Sequence, residues 1–367
     1  MRHSLGLRRM FVIPLALAAC LAATGTGSAA PPGDGDRSGE KSTERTRIDF
    51  AQRYRAVQHG GIVRAANSAI TCRRAVDRTA ESCARTRGGR PGANDDFDMF
   101  YVDVDDDPNT YNSSTGEVRL PPHSRVSYAR LYWGGNLRVG EQKPPKDNGR
   151  VLIAEPGGHY KPVIADTPVG HRVTDGADAF QASADVTPLV RSAGGGAYTV
   201  AQVNVAKGHS KAGAWGGWTL AVAYENAAEP LRALAVYDGF DATGEHGTRH
   251  AVRLRGVPGG TAGTVGVVAY DGDRGRRGDT VAVSSGPTGP VPLTDAANPA
   301  GDALNSTISE PGAPARRNPA HPNTLGYDSD VFPLAAGHGR RGDLTVHLAS
   351  RDPAWVGVVF AAVAAKR

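Results

Sequence analysis

Closely spaced carboxylates are the groups in this sequence that are best suited to chemistry. Asp271, Asp273 and Asp279 surround a turn of glycines and arginines in the stretch YDGDRGRRGD. Because Ca²⁺ takes about six to eight oxygen ligands from carboxylates and backbone carbonyls, these three aspartates are the candidate ligands of a calcium site. The alternative is that they stabilise a surface turn, with the intervening arginines neutralising their charge. The sequence favours this alternative, and no other cofactor is indicated.

Two further acidic stretches offer the same choice between calcium binding and turn formation. In NDDFDMFYVDVDDDPNT, Asp103, Asp105 and Asp107 alternate as they do at the start of an EF-hand loop. Pro108 stands where that loop requires glycine, and no closing glutamate follows, so an EF-hand is excluded. The stretch GYDSD adds two more alternating aspartates. For both stretches we expect turn chemistry, because Asp side chains bind their own backbone in turns.

The usual catalytic signatures are missing from the sequence. There is no nucleophile elbow, no phosphate-binding P-loop, no H-E-x-x-H zinc motif and no dinucleotide fingerprint. His246 and His250 have i, i+4 spacing, but they flank glycine between strands, so a helical zinc site is not expected. We therefore predict a binding or structural role without catalysis, and assign no catalytic residue. The alternative is an extracellular polysaccharide hydrolase, since two carboxylates about 5 to 10 Å apart suffice to hydrolyse a glycosidic bond.

The N-terminal segment has the pattern of an export signal over residues 1–30. A basic stretch, MRHSLGLRR, precedes the apolar stretch MFVIPLALAA, which is too short to span a membrane. Arg8 and Arg9 leave twin-arginine export open beside the general route. Cys20 ends a lipobox-like LAAC and is a candidate for lipidation, whereas the small residues at 27–29 suit ordinary cleavage. Both routes predict an extracellular or cell-surface protein, and no later stretch predicts a transmembrane helix.

Export makes the two remaining cysteines a predicted disulfide. Cys72 and Cys83 lie in TCRRAVDRTAESCA, without the histidines that a metal site would need. Paired cysteines in exported chains are normally oxidised. Closing so short a loop contributes about 3 kcal/mol in the chain-entropy account.

Composition and periodicity predict an all-β fold built from tandem β-sandwich or jelly-roll-like units. The 367 residues include 47 glycines and 25 prolines but three methionines. Short apolar stretches that alternate with period two lie between turn clusters, and none sustains a helical period. They include RVSYARLYW, YTVAQVNV, WTLAVAYE, LRALAVY, HAVRLRGV, TVGVVAY, DLTVHLA and WVGVVFAAVAA.

An internal similarity suggests where the chain divides. DVTPLVRSAGGGAYTV, which begins at residue 185, matches DVFPLAAGHGRRGDLTV at residue 330, and a tryptophan-led apolar strand follows each. Such self-similarity is typical of repeated units. We therefore predict a flexible linker over residues 31–58, a first β-sandwich unit over 59–240 and a second over 241–367.

The stretch GWTLAVAYENAAEPLRALAVYDGF predicts two strands of the sandwich core. Its apolar residues alternate on both sides of a short polar break, with Trp218 and Tyr237 as the large apolar side chains. Asp238 and Gly239 have the types found in turns, which predicts a strand end at that point.

The net charge does not indicate a nucleic-acid partner. The formal charge of +5 falls to +2 without the leader, which carries Arg2, Arg8 and Arg9. No basic stretch interleaved with aromatic residues remains, so nucleic acid is excluded as the expected partner. A cell-envelope polysaccharide or another surface protein are the partners that an exported sandwich would meet.

Several motifs, taken in order, resemble a known module. AANSAITC, DMFYVDVDDDPNTYNSSTGEVRLPPHSRVSYARLYWGGN, DVTPLV, GGWTLAVAYENAAEPLRALAVYDGF, YDGDRGRRGD, NSTI and NTLGYDSDVF follow one another over about residues 60–367. This order is similar to a module of exported bacterial surface proteins, which precedes sandwich repeats in larger members. The resemblance implies an extracellular, all-β, non-catalytic protein of unknown function. No such repeats or wall-sorting tail follow residue 367, so a lipid on Cys20 is the expected tether.

Overall fold

The computed structural model describes residues 43–244, 249–287, 289–312, 314–337 and 342–365. The predicted signal peptide, the lipidation candidate Cys20 and His246 lie outside the described residues. Two short α-helices, Cys83–Arg87 (α1) and Thr187–Ala193 (α2), occur among them. In the part of the chain that is described, no helix has the length and apolar character needed to cross a membrane.

Strands form most of the described chain, because apolar and small residues alternate between turn residues throughout it. The strands are Glu44–Arg45 (β1), Ile48–Ser68 (β2), Ile70–Ala75 (β3), Phe97–Tyr101 (β4), Ser113–Val118 (β5), Arg125–Asn136 (β6), Arg150–Ala154 (β7), Lys161–Ile164 (β8), Val169–Val173 (β9), Asp178–Asp185 (β10), Gly196–Ala201 (β11), Gly216–Glu225 (β12), Leu231–Thr243 (β13), Arg249–Pro258 (β14), Gly263–Tyr270 (β15), Thr280–Ser284 (β16), Val291–Pro292 (β17), Ile308–Ser309 (β18), Arg317–Asn318 (β19), Tyr327–Leu334 (β20), Asp343–Ala349 (β21) and Ala354–Ala364 (β22).

The long strand β2 joins two inner sheets. Residues 60–68 of β2 pair with β12, whereas its residues at 48–59 pair with β13 on the opposite side. Eleven strands are thus hydrogen-bonded in one continuous order, and we call its two parts, which share β2, the first inner sheet (β1-β9-β10-β6-β12-β2) and the second inner sheet (β2-β13-β22-β15-β20-β18). Gly60 marks the crossing point with φ +140°, and a Cβ there would lie 1.9 Å from the Tyr224 carbonyl oxygen. Only glycine fits this conformation and this close approach.

Each inner sheet packs against an outer sheet, which gives two β-sandwiches. The first outer sheet has the order β19-β5-β11-β7-β8, and the second has β14-β21-β16-β17. Trp133, Trp218 and Tyr198 are fully buried in the first sandwich, and Tyr237 packs in the second. Burying side chains of this size contributes roughly 2 to 3 kcal/mol each before the entropy of ordering is subtracted. The predicted all-β architecture of sandwich units is confirmed.

A third apolar layer joins the two inner sheets face to face. Tyr132 of the first inner sheet and Phe240, Tyr270 and Trp355 of the second belong to this layer, together with Trp215. The Phe240 and Trp355 rings stack with centroids 5.2 Å apart and an interplanar angle of 12°. The two sandwiches therefore share a continuous apolar contact instead of being joined by a linker alone.

The segments that gave the internal similarity are followed by strands with the same order of sheets, although residues 187–193 form α2 and residues 330–334 lie in β20. In the first sandwich, β10 lies in the inner sheet, β11 in the outer sheet and β12 in the inner sheet again. In the second sandwich, β20, β21 and β22 follow the same inner, outer, inner order. The similarity in sequence thus accompanies a similarity in sheet assignment.

Three expectations need correction. The linker predicted over residues 31–58 is wrong for residues 48–58, which belong to β2, because their polar side chains alternate on a strand with one exposed face. The boundary at residue 240 falls inside β13, and the chain passes to the second sandwich between β12 and β13 instead. Asp238 is not at a strand end: it lies buried within β13 and accepts a hydrogen bond from Arg53 Nε at 2.5 Å. β2 separates β12 from β13 in the strand order, so these two strands do not pair with each other.

Candidate functional site

A cavity of about 610 Å³ opens where both sandwiches contribute loops, and we call it the junction cavity. The loop before β4 and the turn between β9 and β10 line it from the first sandwich. The loops after β15 and before β22 line it from the second. Its lining residues are Asn94, Asp95, Arg172, Val173, Thr174, Asp175, Gly176, Ala177, Lys211, Ala212, Ala242, Asp271, Asp273, Arg276, Asp352, Pro353 and Trp355.

Asp271 and Asp273 form a carboxylate pair in the wall of this cavity. Asn94 Nδ2 donates to Asp271 Oδ1 at 3.0 Å and to Asp273 Oδ1 at 3.3 Å. The Asn94 backbone N–H also faces Asp273 Oδ1, at an N–O distance of 3.4 Å. Because Asn94 Nδ2 donates to both, the distance between Asp271 Oδ1 and Asp273 Oδ1 cannot exceed the sum of these two hydrogen-bond lengths.

Arg276 forms an ion pair with Asp273, whereas Asp271 has no ion pair within the described part of the chain. Arg276 Nη1 lies 2.9 Å from Asp273 Oδ2, and its Nη2 lies 2.8 Å from Asp95 Oδ1. Arg276 therefore neutralises carboxylates, as the turn alternative expected of the intervening arginines. Its charge favours the ionised form of Asp273.

Desolvation dominates the protonation of the carboxylate pair. Enclosure by protein raises the pKa of Asp271 well above its usual range, and the neighbouring Asp273 charge raises it further. Enclosure also raises the pKa of Asp273 to about 7, although the Arg276 guanidinium acts in the opposite direction. The two carboxylates of the pair therefore hold a proton to higher pH than free aspartates do, because desolvation and their mutual repulsion disfavour the doubly ionised form.

Three loops fix the position of Asp271. Asp271 has φ +65°, and Ser306 and Leu325 in neighbouring loops also adopt left-handed backbone conformations. The Asp271 backbone N–H donates to the Gly326 carbonyl oxygen at 2.8 Å, and the Gly326 N–H donates to Ser306 Oγ at 2.7 Å. Ser306 Oγ donates in turn to the Gly272 carbonyl oxygen at 2.5 Å. The motifs YDGDRGRRGD, NSTI and NTLGYDSDVF thus meet at one place, and the strained backbone is of the kind that concentrates at functional sites.

Asp279, the third candidate calcium ligand, is not part of the carboxylate pair. Its Oδ1 accepts a hydrogen bond from Ser350 Oγ, and the residue forms a parallel bridge with Asp302. Burial raises the pKa of Asp279 to about 7. Among the described residues, no group of three histidine, cysteine, aspartate or glutamate side chains is placed to hold a metal ion.

The other acidic stretches serve local structure. Asp107 Oδ1 accepts from the Asn109 backbone N–H at 2.9 Å, and Asp105 Oδ1 accepts from the Asp107 N–H at 3.0 Å, as expected of turns. Asp328 and Asp330 differ from the turn expectation, since both are buried in β20 and accept hydrogen bonds from the backbone N–H groups of Thr307 and Ser309 respectively.

The predicted disulfide between Cys72 and Cys83 is confirmed. The two Cα atoms lie 5.7 Å apart, and the bond ties β3 to the start of α1. His250, which has i, i+4 spacing from His246, donates a hydrogen bond from Nε2 to the Ala242 carbonyl oxygen at 2.9 Å.

Sequence reasoning missed Asn94, which holds the carboxylate pair, and the cavity residues Arg172, Asp352 and Trp355. Asn94 lies in the stretch GANDDF, where it looks like one more turn residue. No local signal distinguishes it, because its partners lie in the other sandwich. The three motifs around Asp271 were the one available clue, since their fixed order suggested that they belong together.

No family model matches this chain, and no curated protein sequence matches it. Among the solved structures that match it, two align over most of its length. The major capsid protein P2 from bacteriophage PM2 is 9% identical, with 83% of this chain and 98% of that chain covered and a TM-score of 0.21. A recombinant N-glycanase F (PNGase F) is 11% identical, with 83% of this chain and 96% of that chain covered and a TM-score of 0.19. Scores this low carry no argument about function.

Proposed function

We propose that this is an exported cell-surface protein that binds a cell-envelope polysaccharide in the junction cavity. The single observation that carries the proposal is the composition of the cavity wall, which mixes carboxylates and cations around a small apolar surface. A volume of about 610 Å³ is in the range of cavities that hold small ligands or short polymer segments. Export by the N-terminal signal would bring the cavity into contact with envelope polymers.

The wall suits a ligand rich in hydroxyl groups. A hydroxyl both donates and accepts hydrogen bonds, so it can satisfy carboxylate acceptors and guanidinium donors at the same time. Asp95, Asp175 and Asp352 supply acceptors, and Lys211 supplies a donor at the mouth. The carbon-bound hydrogens of a sugar ring could pack on the alanines, proline and indole edge of the same wall.

Binding at this cavity can be tested by calorimetric titration of the full chain with envelope polysaccharide fragments. Ala212→Trp would place a large side chain in the cavity and should weaken binding by at least about tenfold, or 1.4 kcal/mol. Lys211→Ala should weaken it less, and Lys146→Ala, at an exposed position outside the cavity, should leave it unchanged. Equal affinity of Ala212→Trp and the unmodified chain would exclude the cavity as the site.

The carboxylate pair favours a second candidate, an extracellular hydrolase acting on polysaccharide. Glycoside hydrolysis needs one protonated and one ionised carboxyl, and separations of about 5 Å correspond to the retaining reaction. Asp271 would give its proton to the glycosidic oxygen as the C–O bond breaks, while Asp273 bonds to the anomeric carbon. Water would then cleave that ester, with its proton returning to Asp271.

Turnover separates the two candidates. If the pair is catalytic, Asp271→Asn and Asp273→Asn should each abolish the release of reducing ends, while Asp106→Asn at an exposed position retains it. If the unmodified chain releases no product from a broad panel of glycans that it binds, the hydrolase is excluded and binding without catalysis remains.

The tether to the cell is a separate part of the proposal. A mature chain that begins with a diacylglyceryl-modified Cys20 would be held on the membrane face, whereas a chain that begins near residue 30 would be freely secreted. The mass of the mature N-terminal peptide from the native organism distinguishes the two outcomes. A mass that retains residues 1–30 would contradict export by this signal.

A further inference from the structure

A second cavity, of about 680 Å³, opens on the second sandwich next to the junction cavity. His250 in its wall donates a hydrogen bond to the carbonyl oxygen of Ala242, which lines the junction cavity. The second cavity lies between the first residues of β2 and β14, which is an edge strand of the second outer sheet. Arg47, Arg249, Arg253 and Arg255 line it, and we call it the arginine groove.

The alternation of β14 aligns its arginines. Arg249, Arg253 and Arg255 are exposed, whereas Val252 and Leu254 point into the core of the second sandwich. Side chains on one face of a strand repeat about every 7 Å, so these guanidinium groups form a row along the groove. A polymer with regularly spaced anionic groups can contact several of them at once.

Among the residues that the structure describes, only part of this positive charge has a carboxylate partner. Arg47 lies 3.2 Å from Asp49 and 3.1 Å from Asp241, and Arg253 lies 2.9 Å from Asp343. Within residues 43–244, 249–287, 289–312, 314–337 and 342–365, no carboxylate lies within ion-pair distance of Arg249 or Arg255. Guanidinium groups bind carboxylates and phosphates through paired hydrogen bonds, so the groove is complementary to an anionic ligand.

We propose that the arginine groove binds an acidic polysaccharide through its repeated anionic groups. The aromatic residues of the groove distinguish this ligand from a single-stranded nucleic acid. Phe50 packs against the core of the second sandwich, and its ring lies 6.4 Å from that of His250. Single-stranded nucleic acid is bound by exposed rings on which bases stack, and this groove offers no row of such rings. The inference does not rest on the junction cavity, since the two cavities share no lining residue.

Titration of the full chain with polygalacturonate tests the proposal. Neutral dextran is one comparison, and double-stranded DNA at the same concentration of anionic groups as the polygalacturonate is the other. The double variant Arg249→Gln/Arg255→Gln should bind polygalacturonate at least tenfold more weakly, because two charge-assisted contacts are lost. The slope of log affinity against log salt concentration should also become shallower by about two. Each contact between a guanidinium and an anionic group releases about one counterion, and the double variant makes two fewer such contacts.

The matched control is Arg78→Gln/Arg150→Gln, which removes the same charge from exposed positions outside the groove. It should retain most of the affinity, and both double variants should keep the melting temperature of the unmodified chain. Equal loss of affinity in the two double variants would show that net charge and not the groove determines binding. Stronger binding to DNA than to polygalacturonate, or no binding to polygalacturonate at low salt, would overturn the proposal.

Discussion

Asn94 donates its side-chain N–H to Asp271 at 3.0 Å although 177 residues separate them in the chain. Asn94 lies in the loop before β4 of the first sandwich, and Asp271 directly follows β15 of the second. The hydrogen bond therefore joins the two sandwiches at the wall of the junction cavity. The carboxylate pair keeps this geometry only while both sandwiches are folded and packed together.

Gly326→Ala should destabilise the protein by about 2 to 3 kcal/mol, because it combines backbone strain with overlap. Gly326 has φ +100°, and a Cβ there would lie 2.5 Å from the Trp215 Cβ and 2.9 Å from Asn94 Nδ2. Chemical denaturation measures the change. Displacement of Asn94 should also weaken any ligand binding in the junction cavity.

Gly337→Ala is the matched control for this substitution. Gly337 has nearly the same φ, +103°, but nothing lies within 4 Å of a Cβ at that position. It should show the conformational cost alone, about 1 kcal/mol. Equal destabilisation by the two substitutions would contradict the packing of Gly326 against Asn94.

Stability should fall with rising pH through the titration of Asp279. Burial raises the pKa of Asp279 to about 7, from 3.8 for the free side chain. The folded chain then binds the proton more tightly than the unfolded chain, so this contribution is full below about pH 4 and is lost as pH rises towards 7. Asp279→Asn keeps an acceptor for Ser350 but does not titrate. Its stability relative to the unmodified chain should therefore rise by on the order of 4 kcal/mol between pH 4 and pH 8.

The measurement is the free energy of unfolding at several pH values, with Asp106→Asn at an exposed position as the control. The control should follow the pH dependence of the unmodified chain. A constant difference in stability between Asp279→Asn and the unmodified chain from pH 4 to pH 8 would show that Asp279 titrates normally.

Loss of the disulfide should lower stability by about 2 to 3 kcal/mol, because Cys72 and Cys83 close a loop with a sequence separation of 11. Cys72→Ser should show this loss without reductant, and a reducing agent should lower the unmodified chain to the same level. Non-reducing peptide mapping of the exported protein checks the bond directly. Free thiols at both positions would contradict it.

Calcium should leave the melting temperature unchanged between excess chelator and millimolar Ca²⁺. Asn94 and Arg276 already occupy both carboxylate oxygens of Asp273, Asn94 occupies Oδ1 of Asp271, and Asp279 is hydrogen-bonded to Ser350. A bound ion would raise stability with its concentration, since it binds only the folded chain. A calcium-dependent rise that disappears in Asp273→Ala would instead establish these residues as a calcium site.

Local patterns in the sequence predicted the strands, the sandwich class and the disulfide. Alternation with period two identified β12 and β13, and it identified Trp218 and Tyr237 as core residues. The export pattern together with two cysteines predicted the bond between Cys72 and Cys83. These features depend on residues close together in the chain, which is why the sequence alone determined them.

Only the tertiary structure decided which strands pair and which polar groups meet. The crossing of β2 between the inner sheets at Gly60, the burial of Asp238, and the separation of Asp279 from Asp271 and Asp273 all depend on distant partners. The neighbouring residues in the sequence do not distinguish a carboxylate in an exposed turn from one enclosed between two sandwiches. Desolvation and the position of Asn94 distinguish them, and both arise when the two sandwiches pack together.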